Sequence, residues 1–232
     1  MAIKSGIRNM RLTQELVARC HRVVQDPGPE PKYDYFGDDD YAAATAAILD
    51  GKPDGPLWLF AYGSLIWKPE FPTMETRKAT AAGWQRAFSL KVEQFRGSPE
   101  QPGYMMCLDR GGVCEGLALR LGDDDLPGQI GALLLREIGS HEALEGVRWI
   151  DVQTAESALR ALVFYAYPHL LDNYSENRPM VEVARALARA CGHWGSGAEY
   201  LFNTVSHLED QGIHEPSLWQ LQELVADEIE RG

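Results

Sequence analysis

Two places in the chain carry residue types and spacings that could do chemistry. The first is a carboxylate, Glu137, in a segment whose apolar residues Leu126, Ile130, Leu133, Leu134 and Ile138 recur at helical spacing. Glu137 follows Leu134 by three residues and Leu133 by four, so it projects from the buried face of that helix rather than the solvent face. A carboxyl group drawn out of water resists ionisation, which moves its proton affinity toward the range of a general acid or base. An internal ion pair, for example with Arg86, Arg96 or Arg148, or a half-exposed end of the helix suits the same position, and periodicity does not choose among them. The second place is the Tyr62-Gly63-Ser64 step that ends the apolar run starting at Leu57. Gly63 permits a sharp turn and close approach to the backbone. Behind it the amides of Ser64, Leu65 and Ile66 can turn inward as a nest for an anion, a carboxylate site that needs no basic side chain. Gly-Ser is also an ordinary turn.

Other chemistries find no support in the residue pattern. His141-Glu142 lacks the second His of a zinc-protease helix, and the six histidines show no ligand pairing. Ser64 follows Tyr-Gly and precedes Leu-Ile, which is not the elbow of a serine hydrolase. No GxGxxG or phosphate-loop pattern is present. Glu142 and Glu145 read as a solvated surface. Cys20, Cys107, Cys114 and Cys191 lie in apolar segments without CxxC spacing, the reading of inert buried thiols in a reducing compartment.

The elements that must position these groups follow from local signals. Leu57 to Ala61 is short, aromatic-rich and free of charge between Pro56 and Gly63, and reads as a buried strand. Strand-like segments follow at about 79–92, 103–108 and 113–121, the last two expected to form a hairpin around Arg110-Gly111-Gly112, and again at 147–152 and 159–167. Asp124, Asp125 and Pro127 open the helix that carries Glu137, and Gly139 can end it. After Pro168 the chain is expected to be helical: 180–191, a helix opened by Ser196 with Glu199 and running to about 210, and one opened by Pro216 running to 229. Upstream, Thr13 caps a helix expected to reach Val24, with Leu16, Cys20, Val23 and Val24 on one face, and Asp40 caps another over 41–50 ended by Gly51. A proline-rich stretch from Asp26 to Pro31 separates them. Residues 1–55 are read as an N-terminal helical extension packed on a main domain of residues 56–232.

Thirty-four acidic against 22 basic residues leave a net charge of −12, which repels phosphate backbones and argues against nucleic acid. The same charge disfavours long-range capture of an anion, so a site for one must be locally positive or lined with amides. No apolar stretch is long enough to span a membrane and the N-terminus lacks a signal-peptide core, so a cytoplasmic protein is expected. The sequence sets no oligomeric state.

Tyr62-Gly63-Ser64-Leu65-Ile66-Trp67-Lys68-Pro69, preceded by Leu57-Trp58-Leu59-Phe60, resembles the opening signature of the ChaC-like gamma-glutamylcyclotransferases, which act on glutathione. The similarity continues at Gly83-Trp-Gln-Arg-Ala-Phe, at Arg96-Gly-Ser-Pro-Glu-Gln-Pro-Gly, at Gly112-Val-Cys-Glu-Gly-Leu-Ala and in the segment from Ser196 to Val205. The resemblance implies a mixed α/β (α+β) fold, a curved mixed sheet or small barrel flanked by helices. It implies release of 5-oxoproline and cysteinylglycine from glutathione, a C–N lyase reaction needing neither metal nor cofactor. Arg136-Glu137 falls where these enzymes carry an Arg-Glu whose Glu is the acid/base. Tyr62, Gly63, Ser64, Leu65, Ile66, Arg96 and Tyr200 are then the expected substrate-binding residues. The chain departs from the pattern in having Phe95 where many relatives have His before Arg-Gly, and Val147 where they have Tyr after Gly. Two other readings stay open: the same cyclisation on another gamma-glutamyl amide or dipeptide, and a non-catalytic gamma-glutamyl ligand-binding or regulatory protein.

Overall fold

The structure is a computed structural model and describes residues 9–69 and 71–232; residues 1–8 and Glu70 lie outside them. The strand expected after Pro56 is β1, Trp58–Ala61, buried along its whole length. Its charge-free sequence is explained by its place in a closed barrel, where it pairs antiparallel with β3 (Gly103–Leu121) and parallel with β5 (Ala158–Val163). The strand order β1-β3-β2-β4-β5 is completed by β2 (Thr73–Val92) and β4 (Arg148–Thr154). Leu59, Phe60, Leu121 and Leu162 are fully buried in the core, where burying one such side chain stabilises by about 1.5–3 kcal/mol. Phe60→Ala would remove about 3–5 kcal/mol.

The long β2–β3 ribbon corrects the sequence reading. No hairpin turn occurs at Arg110-Gly111-Gly112: β3 runs unbroken, and the ribbon turns over at residues 93–102. Gly111 (φ 112°) and Gly112 (φ 62°) lie across from Gly83 (φ 79°), where the register skips from Ala82↔Val113 to Trp84↔Arg110. The glycines serve an irregularity that bends both strands together.

Helix α3, Leu126–Glu137, forms as expected: Asp125 accepts from the Gly128 amide, Pro127 sits in the first turn, and Ile130, Leu133 and Leu134 are buried. A four-residue helix, α4, His141–Leu144, leads into β4. Three further helices, α5 (Met180–Arg189), α6 (Gly197–Asp210) and α7 (Pro216–Arg231), pack together, with Ser196 accepting from the Glu199 amide at the start of α6. Between α5 and α6 a two-residue ladder joins β6 (Cys191–Gly192) to β7 (Gly195–Ser196), which the sequence reading did not anticipate.

Near the N-terminus, Thr13 caps a helix as expected, but α1 is only Gln14–Arg19, and Val23 is 94% exposed rather than on a packed face. The second helix, α2, is Asp38–Asp50 with Gly37 at the cap position; the Asp40 carboxylate reaches back to the Gly37 amide at 2.8 Å from within the first turn. Leu12 is fully buried, its amide donating to Gln222 on α7 at 2.8 Å, and α2 lies on α3. Among the described residues no helix is long and apolar enough to cross a membrane.

Candidate active site

Beyond β1 the chain turns at Gly63 into a single 3-10 turn, Ser64–Ile66. The turn uses the Ile66 amide internally, donating to the Gly63 carbonyl at 3.0 Å, while its first amides, Ser64 and Leu65, are the ones a helical turn leaves without an internal acceptor. Tyr62 is anchored on either side. Its hydroxyl donates to the Phe164 carbonyl at 3.0 Å, and its own carbonyl accepts from Arg86 Nε at 2.6 Å. Tyr200 closes over the glycine: a Cβ at position 63 would lie 3.1 Å from the Tyr200 hydroxyl and 3.7 Å from Met106 Sδ.

Helix α3 delivers Arg136 and Glu137 to the same place. Arg136 donates to the Ser64 hydroxyl at 3.2 Å and to the Lys68 carbonyl, and its Nε lies 2.9 Å from Glu137 Oε1. One guanidinium thus joins the glycine loop to the carboxylate. Glu137 keeps 14% of its side-chain surface exposed, so it is neither sealed in the core nor immersed in solvent. Its backbone carbonyl accepts from the Tyr165 hydroxyl, which satisfies an acceptor that the end of a helix leaves open.

Arg96 enters from the loop between β2 and β3 and is buried. Its Nη1 donates to the Ser196 carbonyl at 3.0 Å and to Glu199 Oε2 at 2.9 Å, and its guanidinium stands 5.2 Å from the centre of the Tyr200 ring. Burial raises the hydroxyl pKa of Tyr62, Tyr165 and Tyr200, and the charge of Glu137 adds to the rise in each. All three remain neutral donors at physiological pH.

These groups line one cavity of about 1080 Å³. Of the residues singled out from sequence, Tyr62, Gly63, Ser64, Leu65, Arg96, Glu137 and Tyr200 line it; Ile66 does not, and packs against the core instead. Among the described residues, five basic side chains (Lys32, Lys68, Lys91, Arg96, Arg136) against four acidic ones (Glu30, Glu93, Glu137, Asp172) line the pocket in a chain of net charge −12, so this lining is far less negative than the protein as a whole. Tyr165 was not anticipated. It lies beyond the end of β5 in a left-handed backbone conformation (φ 54°), held by its own carbonyl to the Leu108 amide at 3.0 Å, and nothing in its neighbouring sequence marks it. Glu142 accepts weakly from the Asp34 amide at 3.4 Å and Glu145 is exposed; neither lines the cavity. Among the described residues no group of three or more His, Cys, Asp or Glu is placed to hold a metal ion.

The same residues fall within a recognised sequence family. A family model described as ChaC-like protein matches residues 57–228, which takes in the glycine loop, Arg96, Glu137 and Tyr200. The chain belongs to the ChaC-like family. It is 35% identical over 178 residues to the glutathione-specific gamma-glutamylcyclotransferase of Escherichia coli strain K12, covering 76% of each chain. It is 30% identical over 172 residues to glutathione-specific gamma-glutamylcyclotransferase 1 of mouse, covering 72% of this chain and 76% of that one. A solved yeast gamma-glutamyl cyclotransferase specific to glutathione superimposes with a TM-score of 0.66 at 19% identity, over 77% of this chain and 99% of that one, which shows a shared fold. The mixed α/β barrel expected from the resemblance is therefore the fold of this ChaC-like chain. Its two departures from the family pattern also have places in the structure. Phe95 lies against Trp194, the ring centroids 4.5 Å apart and the planes tilted by 48°, and lines the cavity. Val147 does not line the cavity, but Gly146 before it lies against Tyr165, whose Cα is 3.0 Å from where a Cβ would stand.

Proposed function

We propose that this chain is a gamma-glutamylcyclotransferase that converts glutathione to 5-oxoproline and cysteinylglycine. One observation carries the reading: the glycine loop and Glu137, 73 residues apart from Ser64, face one cavity and are joined through Arg136. Similarity to the Escherichia coli enzyme supports glutathione as the substrate.

In the reaction the substrate's α-amine nitrogen bonds to its own γ-carbonyl carbon, and the bond from that carbon to the cysteine nitrogen breaks. Nucleophile and electrophile are parts of one molecule, so orientation alone could supply several kcal/mol of the barrier. Glu137 takes a proton from the amine and delivers it to the departing nitrogen, leaving the balance of atoms and protons closed. Its side chain is partly screened from water and held in direction by Arg136. The Gly63–Leu65 backbone receives the glutamyl carboxylate and the oxygen that gains negative charge as the ring closes. Arg96 and Tyr200, stacked beside that loop, complete the substrate wall. Ile66 supports the turn from behind rather than touching substrate. We read residues 1–55 as an extension, its described residues packed on the domain formed by 56–232. The four cysteines are free and buried, which suits a reducing compartment such as the cytoplasm.

The test is to incubate purified protein with glutathione and measure 5-oxoproline and cysteinylglycine in equal amounts. Glu137→Gln should lower the rate about 10²- to 10⁴-fold with thermal stability retained. A Gln variant as fast as the parent would remove Glu137 from the acid/base role. Binding of glutathione without any consumption would replace the enzyme by a ligand-binding protein.

A further inference from the structure

Residues 28–36 precede the family-matched region, which begins at residue 57, yet Glu30, Lys32, Tyr33 and Tyr35 line the same cavity as Gly63 and Glu137. Pro27, Pro29 and Pro31 keep this stretch out of regular helix or sheet, and it crosses the pocket as a strap. At one end Gln94, two residues before Arg96, donates to the Gly28 carbonyl at 3.0 Å. At the other end the Phe36 amide donates to the Gly139 carbonyl at 3.1 Å, and Tyr35 bridges antiparallel to Ser140. Gly139 is two residues after Glu137. The strap therefore reaches from the Arg96 side of the pocket to the Glu137 side.

Its middle is fastened differently. The Tyr33 hydroxyl donates to Asp172 Oδ1 at 3.1 Å, and Lys32 Nζ lies 3.4 Å from Asp172 and 3.3 Å from Glu30 while standing 4.7 Å from the centre of the Tyr33 ring. Asp172 is 59% exposed and Lys32 47%, and exposed pairs of this kind are weak. At about 1080 Å³ the cavity sits at the upper end of small-molecule sites, so the glutamyl group held by the glycine loop leaves room for more beneath the strap.

We propose that residues 28–36 select the leaving group. Latched to Asp172 through Tyr33 and Lys32, the strap admits gamma-glutamyl compounds whose leaving group is about a dipeptide and turns away longer peptides, which must displace Tyr33 to fit. The inference rests on the cyclotransferase reading above and adds to it a second determinant, a segment that precedes the family-matched region and latches onto Asp172 within it.

The experiment compares kcat/KM for release of 5-oxoproline from glutathione with that from glutathione extended at its glycine by two alanines. It uses the full chain and the near-isosteric variants Tyr33→Phe and Asp172→Asn. The parent should favour glutathione, and each variant should narrow that preference by about 2- to 5-fold, Tyr33→Phe by removing the hydrogen bond and Asp172→Asn by removing the charge that holds Lys32. A preference unchanged in both variants, or a parent that handles both peptides equally well, overturns the strap while leaving the cyclotransferase standing. A parent that releases 5-oxoproline from neither peptide removes the cyclotransferase reading and the strap with it.

Discussion

Arg86 Nε donates to the carbonyl oxygen of Tyr62 at 2.6 Å, so a side chain from the middle of β2 fixes the first peptide of the glycine loop. Because the peptide unit is planar and trans, the Gly63 amide must point away from Arg86. The same guanidinium, with 1% of its side chain exposed, donates to the Glu115 carbonyl and pairs at 2.7 Å with Glu215, the residue that opens α7. A strand, a loop and the C-terminal helix thereby meet at one buried charge.

Arg86→Met should therefore destabilise the chain by about 3 kcal/mol, on the order of 10 °C in Tm, because it leaves Glu215 and two carbonyls without their shared donor. Arg86→Lys restores a charge for Glu215 but not the three-way fork, and should recover only part of the loss. Thermal denaturation checks both, and a Met variant melting with the parent would show that the fork carries no stability.

At Gly63 the constraint is space. A methyl group would stand 3.1 Å from the Tyr200 hydroxyl, closer than ordinary packing allows, so Gly63→Ala should lose about 1–3 kcal/mol through overpacking. Tyr200→Phe removes the oxygen that the methyl meets. The double variant should then be more stable than the sum of the two single effects, by about 0.5–3 kcal/mol in a double-mutant cycle. Strict additivity would place the penalty in the backbone instead of in this contact.

What could be read in advance follows from how local each signal is. The β1 strand and its glycine turn were legible because a charge-free run bounded by Pro56 and Gly63 has few other uses, and α3 was legible because its apolar spacing and its Asp125 cap agree. Glu137 could be placed on the inner face by periodicity, but not assigned a partner; that partner is its own neighbour, Arg136, rather than the more distant arginines considered. Gly111-Gly112 suggested a turn because turns and bulges both call for positive φ, and only the register against Gly83 tells them apart. Tyr165 owes its position to a pairing with Leu108 across the barrel, and the strap owes its position to Gln94, Gly139 and Asp172, none of which is near in sequence.

Tyr165 offers a test of how Glu137 is held. Its hydroxyl donates to the Glu137 carbonyl at the end of α3, so Tyr165→Phe should leave that carbonyl short of a donor and loosen the residue that carries the carboxylate. The expected loss is about 1 kcal/mol of stability. We expect kcat to fall more than KM rises, since the substrate wall at Gly63, Arg96 and Tyr200 is untouched. A change confined to KM would make Tyr165 a substrate contact rather than a support for Glu137.

Away from the pocket chemistry, Asp109 on β3 gives the fold a pH dependence. Its Oδ2 accepts from the Ser89 hydroxyl at 2.5 Å, while Oδ1 is buried without a hydrogen-bond partner. Burial raises its pKa above the ordinary 3.8, against the opposing pull of the Ser89 and Tyr174 hydroxyls. The folded chain thus holds this proton more tightly than the unfolded chain does. The stability associated with it is fully present below the unfolded value and is lost as pH rises through the folded one. Above the folded value the charged carboxylate is a burden, and Asp109→Asn, neutral and of the same shape, should there melt at a higher temperature than the parent. The difference should shrink as pH is lowered through the folded value, where the parent carboxyl takes up its proton. Melting curves of both proteins on either side of the folded value decide the matter: a gap that stays constant, or an Asn variant less stable above that value, would mean that Asp109 is held by its hydrogen bonds more strongly than burial disfavours its charge.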